Sequence, residues 1–584
     1  PYVSGYIERT PDYLADGSTH YSNSFSYNLG ADLKYGIDDR FTLDMTLLPD
    51  FGQVQSDNKV KNLSYQEVTY NENRSFFKEG TDIFSKNGLF YTRRIGRTPM
   101  LFYNVPFMLN PGEELEENPS QAKLLNAFKI SGRNNQGVGL GIFNAVTEEM
   151  SATIKAADGS TRKILTEPLT NYNLLVADRQ ISNYSNVYFI NTNVTREGSF
   201  DDANVTGTGF TFADKKNKYA TDGAFAFSQR LSFSSINSGE KDNITGYRYF
   251  IGARKISGNF QFGGSHSKTD DKYNQLDLGY YTLPNIENTG VYTQYRWFKP
   301  WHGLREGNIN LSSDYSVNPL KHERTFFQIN INAFSILMNY HAFFFGGGLN
   351  PISSRDYNEP RTSGRFHNTI PYWYAWAGIS SDYRKAFAVD FTLNLSNFIG
   401  QYISEGYSTN TILRYRFSDK FTLRIMNNFN YDPYNFGFAA TLPTDEIIYG
   451  LRILHTYENI VSGKYIFKND MALTLNARHY WSTGEYRQYL TLLADGSVQD
   501  NSAYPYNHNF NFNVFNIDFV YSWQFAPGSN LSIVYKNAIE TATGKITVNL
   551  AEDFKTTLRA PQSNSVSLKV IYYLDYLYLK KKGG

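Results

Sequence analysis

Apolar and polar side chains alternate along long stretches of this chain, and no other feature of the sequence restricts the fold as much. In one stretch the apolar positions are Phe25, Tyr27, Leu29, Ala31, Leu33 and Tyr35, with small or polar residues between them. Successive side chains of a β-strand point to opposite faces, so a period of two predicts strands. The same pattern returns near residues 413–425, 471–481 and 566–578. The sequence therefore predicts an all-β chain built from repeated hairpins.

Short polar turns separate these strands, as at residues 38–40, 418–420 and 468–470. Counting the alternating segments gives about 24 to 28 strands, a number that single-chain membrane barrels reach. Many segments extend to about ten residues, the length that a tilted strand needs to cross a bilayer, whereas ordinary strands average about five or six. We expect the last segment, from Val566 onward, to close the barrel.

A soluble β-sandwich array or a propeller would also show many alternating strands. Two further features favour a membrane barrel. The apolar faces end in aromatic residues, as interfacial girdles do, and short turns alternate with longer polar loops, which we expect at residues 197–204 and 495–508. The expected fold class is therefore all-β, a large antiparallel transmembrane β-barrel whose single domain spans residues 1–584.

The composition excludes several other classes of protein. The chain holds 46 Tyr, 44 Phe and no Cys, and its 56 basic residues nearly balance its 55 acidic ones. Balanced charge offers no basic face for nucleic acid, and the lack of cysteine excludes disulfides and thiolate metal sites. The mean hydropathy is −0.46, and no stretch approaches the roughly eighteen continuous apolar residues that a spanning helix needs. We expect any signal peptide to lie upstream of Pro1 or to have been removed.

Alternation fades between residues 49 and 121, where the chain contains a charged run and several prolines. A structureless loop of this length is uncommon in a compact domain unless it folds against something. A barrel of this size would otherwise enclose an open pore. We therefore expect residues 49–121 to leave the barrel at its external side, to fold into the lumen as a plug-like insertion and to block it in part.

Charged residues cluster in this segment, and guanidinium groups can clamp carboxylates in a fixed bidentate geometry. We expect these residues to hold the inserted segment against the barrel wall rather than to bind a ligand. The predicted network consists of Asp50, Arg74, Glu79, Asp82, Arg93, Arg94 and Arg97.

The same segment contains three short motifs, at residues 48–54, 74–80 and 89–97, which read L-P-D-F-G-Q-V, R-S-F-F-K-E-G and L-F-Y-T-R-R-I-G-R. They resemble the forms N-P-D-F-G-Q-V, R-P-F-F-x-E-G and L-F-Y-S-R-R-I-G-R of a Bacteroidota outer-membrane β-barrel family, with departures at Leu48, Ser75 and Thr92. The motif residues singled out are Phe51, Gly52, Gln53, Phe76, Phe77 and Gly80. Residues 129–133 and 144–147 also resemble the family pattern.

The resemblance implies a place, the outer membrane of a Gram-negative bacterium, where the barrel would contact lipid and lipopolysaccharide. The activity of that family is undefined, so the resemblance implies no reaction. Its members often carry a carbohydrate-binding-like family 9 domain before the barrel, and residues 1–584 do not contain such a domain.

The residues give little support for an enzyme. The 9 histidines lack metalloprotease spacing, and no G-x-S-x-G motif occurs. Ser265 and His266 are neighbours in a predicted strand and point to opposite faces, so they cannot pair. The acidic groups at residues 113–117, 201–202 and 270–271 fit solvated loops better than metal sites. We expect a non-enzymatic protein without a metal or a cofactor.

Two functions stay open, besides a weaker outer-membrane hydrolase alternative. The first is a scaffold, one subunit of a larger outer-membrane complex for secretion, nutrient uptake or protein insertion, with other surface proteins as partners. Aromatic external loops at residues 371–374 and 501–511 would anchor its interfaces. The alternative is a gated porin-like channel for polar solutes, with Arg414, Arg416, Arg424 and Arg478 on its inner face.

Overall fold

The alternating segments and short turns form one closed sheet, as the sequence predicts. The computed structural model describes residues 1–13, 19–52, 55–233, 241–400 and 405–575. The chain forms a closed barrel of 24 antiparallel strands, which confirms the prediction of about 24 to 28.

The described residues form thirty strands, which follow one another along the chain. In order they are β1 (Tyr2–Tyr13), β2 (Thr19–Gly36), β3 (Phe41–Leu47), β4 (Glu114–Glu117), β5 (Leu124–Arg133), β6 (Val138–Thr147), β7 (Met150–Lys155), β8 (Thr161–Glu167), β9 (Thr170–Ser182), β10 (Ser185–Arg196), β11 (Asp202–Ala213), β12 (Tyr219–Phe233), β13 (Lys241–Lys255), β14 (Phe260–Thr269), β15 (Ile286–Trp297), β16 (Leu304–Asn318), β17 (Glu323–Leu337), β18 (Ala342–Asn350), β19 (Arg355–Asp356), β20 (His367–Asn368), β21 (Tyr372–Ser380), β22 (Phe387–Phe398), β23 (Gly406–Arg416), β24 (Phe421–Thr441), β25 (Ile447–Lys468), β26 (Met471–Leu492), β27 (Val498–Asp500), β28 (Phe510–Ala526), β29 (Ser529–Thr543) and β30 (Ser563–Ile571).

Most of these strands form the barrel, and the others lie at one end of it. β4, β7 and β8 form a separate three-stranded sheet, β19 pairs with β20, and β27 extends the edge of β26. β1 pairs with β2 on one side and with β30 on the other, where Tyr2 lies opposite Ile571. β30 therefore closes the barrel, as its alternation predicted. A closed barrel leaves no free strand edge.

The outer face of the barrel is apolar and is bounded by two belts of aromatic rings. In the first belt, at the start of β24, the ring of Phe421 lies 4.9 Å from that of Phe417. Further along β24, the ring of Phe429 lies 4.6 Å from that of Tyr457, which stacks 5.0 Å from that of Trp481. The stretch of β24 between the two belts corresponds to about 20 Å across a bilayer at the usual rise and tilt. The fold is therefore a transmembrane β-barrel.

The two ends of this barrel differ in the length of their connections. One end carries turns of two to six residues, such as 134–137, 338–341 and 417–420. The other end carries the long connections 48–123, 148–169, 270–285, 351–371, 493–509 and 544–562. We call them the short-turn end and the long-loop end. β1 begins and β30 ends at the short-turn end.

The loop predictions made from the sequence are correct only in part. β11 begins at Asp202, so the loop expected at 197–204 is a tight turn. Residues 372–374 belong to β21, so the aromatic residues expected in an external loop at 371–374 lie in the barrel wall. The loop expected at 495–508 is present, but it contains the short strand β27.

Among the described residues, helical structure occurs in two connections. α1 (Ser75–Lys78) and the 3-10 turns Thr92–Arg94 and Val105–Met108 lie between β3 and β5, and α2 (Leu550–Arg559) lies between β29 and β30. α2 packs on the outer face of the barrel, where the ring of Phe554 lies 4.8 Å from that of His479. No helix in the described part of the chain is long and apolar enough to span a membrane.

Candidate functional site

Residues 49–121, which we call the lumen segment, contact the inward face of the barrel wall on two sides. Lys569 of β30 donates to the carbonyl of Asp50 at 3.0 Å. Ser56 donates through its backbone N–H and its hydroxyl to the carboxylate of Asp518 on β28, at 3.0 and 2.8 Å. These wall residues alternate with side chains on the apolar outer face, so their own side chains point inward. The lumen segment is therefore joined to β28 and β30 by polar contacts.

The opposite part of the lumen segment packs on an apolar patch of the wall. Phe84 and Ile95 are fully buried, and the ring of Phe84 lies 6.2 Å from that of Phe143 on β6. The buried cluster includes Phe77, Phe84, Leu89, Phe90 and Ile95 of the segment and Phe143, Ala145, Tyr172, Leu174, Val176, Ile190, Val194, Val205 and Ala226 of the wall. Each large side chain buried in this way contributes about 1.5–3 kcal/mol, so the segment is held firmly to β6 and β9 to β12.

Arg74 lies at the centre of the lumen segment and is almost fully buried. Its guanidinium donates to both carboxylate oxygens of Glu72, at 2.9 and 2.7 Å. It also donates to the carbonyls of Ile95 and Thr92 at 2.8 Å. Burial raises the pKa of Glu72, but the hydrogen bonds and the charge of Arg74 outweigh burial and leave the pKa below its usual value.

Arg93 and Arg94 also pair with carboxylates of the lumen segment itself. Arg94 forms a bidentate pair with Glu67 at 2.6 Å, and its Nε donates to the carbonyl of Gly279 at 3.0 Å. Arg93 forms an ion pair with Asp57. The expectation that Asp50, Glu79 or Asp82 pairs with Arg93 and Arg94 is wrong. The carboxylates that they bind were missed because they lie in an irregular stretch without a periodic signal.

The remaining residues of the predicted network lie apart. Asp50 accepts a hydrogen bond from the Tyr6 hydroxyl at 2.5 Å, and Glu79 pairs with Lys34 of β2 at 3.1 Å on an exposed surface. Asp82 is exposed. Within the described residues, neither Asp82 nor Arg97 forms an ion pair.

The described motif residues pack against one another and against β1 and β6. The ring of Phe77 lies 5.9 Å from that of Phe51 and 5.2 Å from that of Phe76. A Cβ on Gly52 would come within 2.5 Å of the Tyr6 ring, so only glycine fits there. Gly80 has a φ of 60°, which favours glycine. Gln53 lies outside the described residues.

The inward face of β14 to β24 has a different character, and we call it the free wall. In the described part of the chain, no hydrogen bond or ion pair joins the lumen segment to a strand of this wall. Its central positions are mostly amides and hydroxyls, with one carboxylate at Asp314. They are Gln294, Asn308, Asn310, Ser312, Gln328, Asn330, Asn332, Asn394, Ser396, Ser408, Asn410, Asn428 and Asn430.

Hydrogen bonds across neighbouring strands show that these side chains share one face. Asn394 donates to Ser408 at 3.1 Å, and the hydroxyl of Tyr374 donates to Asn330 at 2.8 Å. The Tyr374 ring lies over Gly348, where a Cβ would come within 2.5 Å of it. Glycine at that position therefore lets the ring lie flat on the wall instead of projecting into the lumen.

Three of the arginines predicted for the inner face, Arg414, Arg416 and Arg424, lie on β23 and β24 and therefore belong to this wall. Arg424 lies opposite Arg414 in the register of β23 and β24, on the side away from the exposed Ile425. Arg478 is fully buried, donates to Glu458 at 2.7 Å and donates to the carbonyl of Lys59 at 2.8 Å. Arg478 therefore fixes the lumen segment, which the sequence did not predict.

A cavity of 760 Å³ opens at the long-loop end of the free wall, and we call it the mouth cavity. The wall contributes the ends of β16, β17, β18 and β21, and the lumen segment contributes Tyr65. The start of β15, the turn 319–322 and the connections 270–285 and 351–371 supply the rest. Its aromatic and amide lining consists of Tyr65, Asn285, Asn318, Phe326, Asn350, Tyr357, Asn358 and Tyr372.

The small sheet of β4, β7 and β8 carries an exposed apolar patch. Val105, Ala152 and Ile154 form the buried core of this sheet. Phe107 and Tyr103 beside that core form the patch and are 89% and 75% exposed. The predicted acidic run lies on the same sheet. Hydrogen bonds from Arg162 lower the pKa of Glu113 to about 2.

The candidate catalytic and metal residues do not form a site. Ser265 and His266 lie on opposite faces of β14, and the His266 imidazole contacts Thr289 of β15 at 3.0 Å. Asp270 accepts backbone N–H groups of Tyr247 and Tyr273. The described residues contain no group of three side chains that could hold a metal ion.

Comparison with known proteins adds a family but no function. Residues 1–583 match the family model described as a domain of unknown function, DUF5916. No curated protein matches the sequence. The solved structures that share similarity with the barrel include the siderophore receptor PirA of Pseudomonas aeruginosa, at 9% identity and a TM-score of 0.43, over 77% of this chain and 76% of that one.

Two further solved structures show the same low similarity. The ferric yersiniabactin uptake receptor FyuA of Yersinia pestis is 10% identical with a TM-score of 0.36, over 98% of this chain and 80% of that one. OccK3 of Pseudomonas aeruginosa is 10% identical with a TM-score of 0.25, over 79% and 93%. Values this low carry no property of those proteins over to this chain.

Proposed function

We propose that this chain, which belongs to the DUF5916 family, forms a channel in the outer membrane of a Gram-negative bacterium that passes uncharged polar solutes along the free wall. The observation that carries this proposal is the division of the inner face. The lumen segment is bonded to β28 and β30 and packed on β6 to β12, whereas β14 to β24 keep a lining of amides and hydroxyls.

The outer face and the two ends support this location. A closed sheet with an apolar outer band satisfies its backbone hydrogen bonds internally, which is what a lipid environment requires. Bacterial outer-membrane barrels have an even number of strands, short periplasmic turns and longer external loops. We therefore place the short-turn end in the periplasm and the mouth cavity outside, with membrane lipid and lipopolysaccharide around the wall.

The lumen segment acts in this proposal as a partial plug. Its internal ion pairs, Arg74 with Glu72 and Arg94 with Glu67, keep it folded as one body, and its wall contacts join that body to β28, β30, β6 and β9 to β12. At its centre, the path beside the free wall is lined mainly by amides and hydroxyls, which both donate and accept hydrogen bonds, while the fixed charges of Asp314, Arg414 and Arg424 are fewer. Such a lining replaces the hydration of neutral hydroxyl compounds better than that of ions. No catalytic step is proposed.

Solute influx into liposomes tests the channel. The purified full chain should make liposomes permeable to a neutral tetrasaccharide such as stachyose. Ser408→Trp places a bulky ring on the free wall and should reduce that influx several-fold. Thr411→Trp on the outer face of the same strand is the matched control and should leave influx unchanged. Wild-type influx no greater than that of protein-free liposomes would contradict the channel.

A second candidate function is the scaffold, and the exposed patch of Phe107 and Tyr103 favours it. Large exposed aromatic residues are common anchors of protein interfaces. The partner would be another outer-membrane or surface protein. Mild-detergent purification from native membranes should then recover a stoichiometric partner, which the double substitution Tyr103→Ser and Phe107→Ser should release. A barrel that purifies alone in both forms would leave the channel as the function.

A further inference from the structure

The mouth cavity combines residues from four separate parts of the chain. Tyr65 comes from the lumen segment, Asn285 from the connection before β15, Asn358 from the connection before β21, and Phe326 from the wall strand β17. A pocket of 760 Å³ lies within the range of about 300–1,000 Å³ that is usual for small-molecule sites. It therefore has room for a ligand of several rings rather than a single ion.

Amides and hydroxyls make up most of the polar lining of this cavity. Asn285 donates to Asn318 at 3.1 Å, and Asn318 accepts two backbone N–H groups of the following turn at 3.0 Å. These bonds fix the orientation of the side chains and leave the Nδ2 of Asn318 as a donor and the Oδ1 of Asn285 as an acceptor. A carboxamide can donate and accept at once, which suits a hydroxyl group because a hydroxyl also does both.

Aromatic rings supply the apolar part of the lining. Tyr65, Phe326, Tyr357 and Tyr372 all border the cavity and are half-buried. A pyranose ring has an apolar face of C–H groups that stacks on an aromatic ring, while its hydroxyls project sideways. Stacked rings beside amides are therefore a chemical match to a saccharide.

The charges at the cavity argue against an ionic ligand. Its charged members are Asp271, Lys321 and Asp356. Asp356 uses its Oδ1 to accept the backbone N–H groups of Asn358 at 2.7 Å and Glu359 at 3.1 Å, which gives it a structural role. A single lysine beside two carboxylates does not make an anion site. A neutral ligand fits this balance best.

We propose that the mouth cavity binds a neutral oligosaccharide, which then passes along the free wall. This site presupposes the channel proposed above and names its solute. The continuity of the lining supports it, since β17 and β21 carry Phe326 and Tyr372 in the cavity and Asn330 and Tyr374 further into the lumen. As the oligosaccharide moves from the cavity into the lumen, it would leave the contacts with the first pair and form similar contacts with the second.

Calorimetric titration of the full chain in detergent tests the site. The probes are the neutral hexasaccharides maltohexaose, cellohexaose, xylohexaose and mannohexaose, with hexagalacturonate as the charged counterpart. At least one neutral hexasaccharide should bind, and hexagalacturonate should bind at least tenfold more weakly. Failure of all four neutral probes to bind, or equal binding of the charged one, overturns the proposal.

Substitutions at Tyr65 locate the site. Tyr65→Ala removes the ring that the lumen segment contributes and should weaken binding at least tenfold, whereas Tyr65→Phe keeps the ring and should retain it. Tyr506→Ala changes an exposed tyrosine that does not line the cavity and is the matched control. Equal losses in Tyr65→Ala and Tyr506→Ala would overturn the placement. A retained thermal transition of the barrel shows that each variant is folded.

Stachyose influx separates failure of the site from failure of the channel. Influx without any hexasaccharide binding would leave the channel standing and refute the binding site. Binding without influx would refute the channel and make the mouth cavity a receptor site. The expected result is both binding and influx, with Tyr65→Ala lowering only the binding.

Discussion

Replacing Arg74 with methionine removes the cation that holds the lumen segment together. The Arg74 side chain is 5% exposed and that of Glu72 is 13% exposed, so the change leaves a nearly buried carboxylate without its partner. It also leaves the carbonyls of Ile95 and Thr92 without a donor. Breaking a buried ion pair from one side costs about 3–5 kcal/mol.

The barrel wall does not contain Arg74, so the cost should fall on local opening of the lumen segment. At about 1.4 kcal/mol per tenfold change, the open fraction should rise by about 10²- to 10⁴-fold. Proteolysis follows the open fraction when opening is fast relative to cleavage. We therefore expect cleavage within residues 49–121 to accelerate strongly, while the thermal transition of the barrel shifts little.

Limited proteolysis of the full chain in liposomes is the assay, with cleavage sites mapped by mass spectrometry. The double variant Arg74→Met and Glu72→Met removes both charges and should recover part of the loss, because no unpaired carboxylate remains buried. Arg305→Met, at the start of β16 near the short-turn end, is the matched control. Cleavage of Arg74→Met at the wild-type rate, or a double variant no better than Arg74→Met, would refute the reasoning.

The pH dependence gives a second check on the same pair. The folded pKa of Glu72 lies below its usual value, so the stability that it contributes is present at neutral pH and is lost as the pH falls through that pKa. Proteolysis of the wild-type segment should therefore accelerate in acid. In the double variant this acceleration in acid should be smaller. If it is unchanged, other carboxylates and not Glu72 cause it.

Three further predictions concern side chains that lie in the lumen. Joint substitution of Arg93 and Arg94 by Ala should raise single-channel conductance or protease sensitivity in planar-bilayer and proteolysis assays, and no change in either would contradict their role in the plug. Gly348→Val should push the Tyr374 ring into the lumen and lower stachyose influx, and influx at the wild-type rate would refute the wall packing. Phe84→Ala should lower the free energy of local unfolding of the lumen segment by about 3–5 kcal/mol. Amide hydrogen exchange that stays slow in residues 77–95 would contradict this prediction.

The barrel itself was predictable because lipid imposes a period of two on every strand. Where the strand also packs against protein on its inner face, this signal weakens. Leu174, Leu175 and Val176 are consecutive apolar residues of β9, since Leu175 faces outward while its neighbours are buried against the lumen segment. Such two-sided apolar strands resemble those of buried sheets. Strands of this kind mark the part of the wall that the lumen segment covers. Their consecutive apolar residues can be read from the sequence.

The site was less predictable, because its contacts join distant parts of the chain. Asp518 and Ser56 bind one another, yet neither lies in a motif. Tyr372 was assigned to an external loop because aromatic residues cluster around it, but it lies in β21 at the mouth cavity. Alternation identifies which residues face inward but not which strands stand opposite one another across a lumen. The mouth cavity could not be predicted, because it depends on which parts of the chain lie opposite one another.

Closure of the barrel through β1 and β30 has a consequence for the order in which the molecule can assemble. Tyr2 pairs with Ile571, so the most distant contacts in the sequence are also those that complete the sheet. Contacts of such high sequence separation form slowly, because a long chain must be ordered before they are made. Until then β1 and the most recently added strand each present an open edge, and open edges recruit other chains. The chain is therefore most exposed to aggregation in the interval between the pairing of its middle strands and the meeting of its two ends.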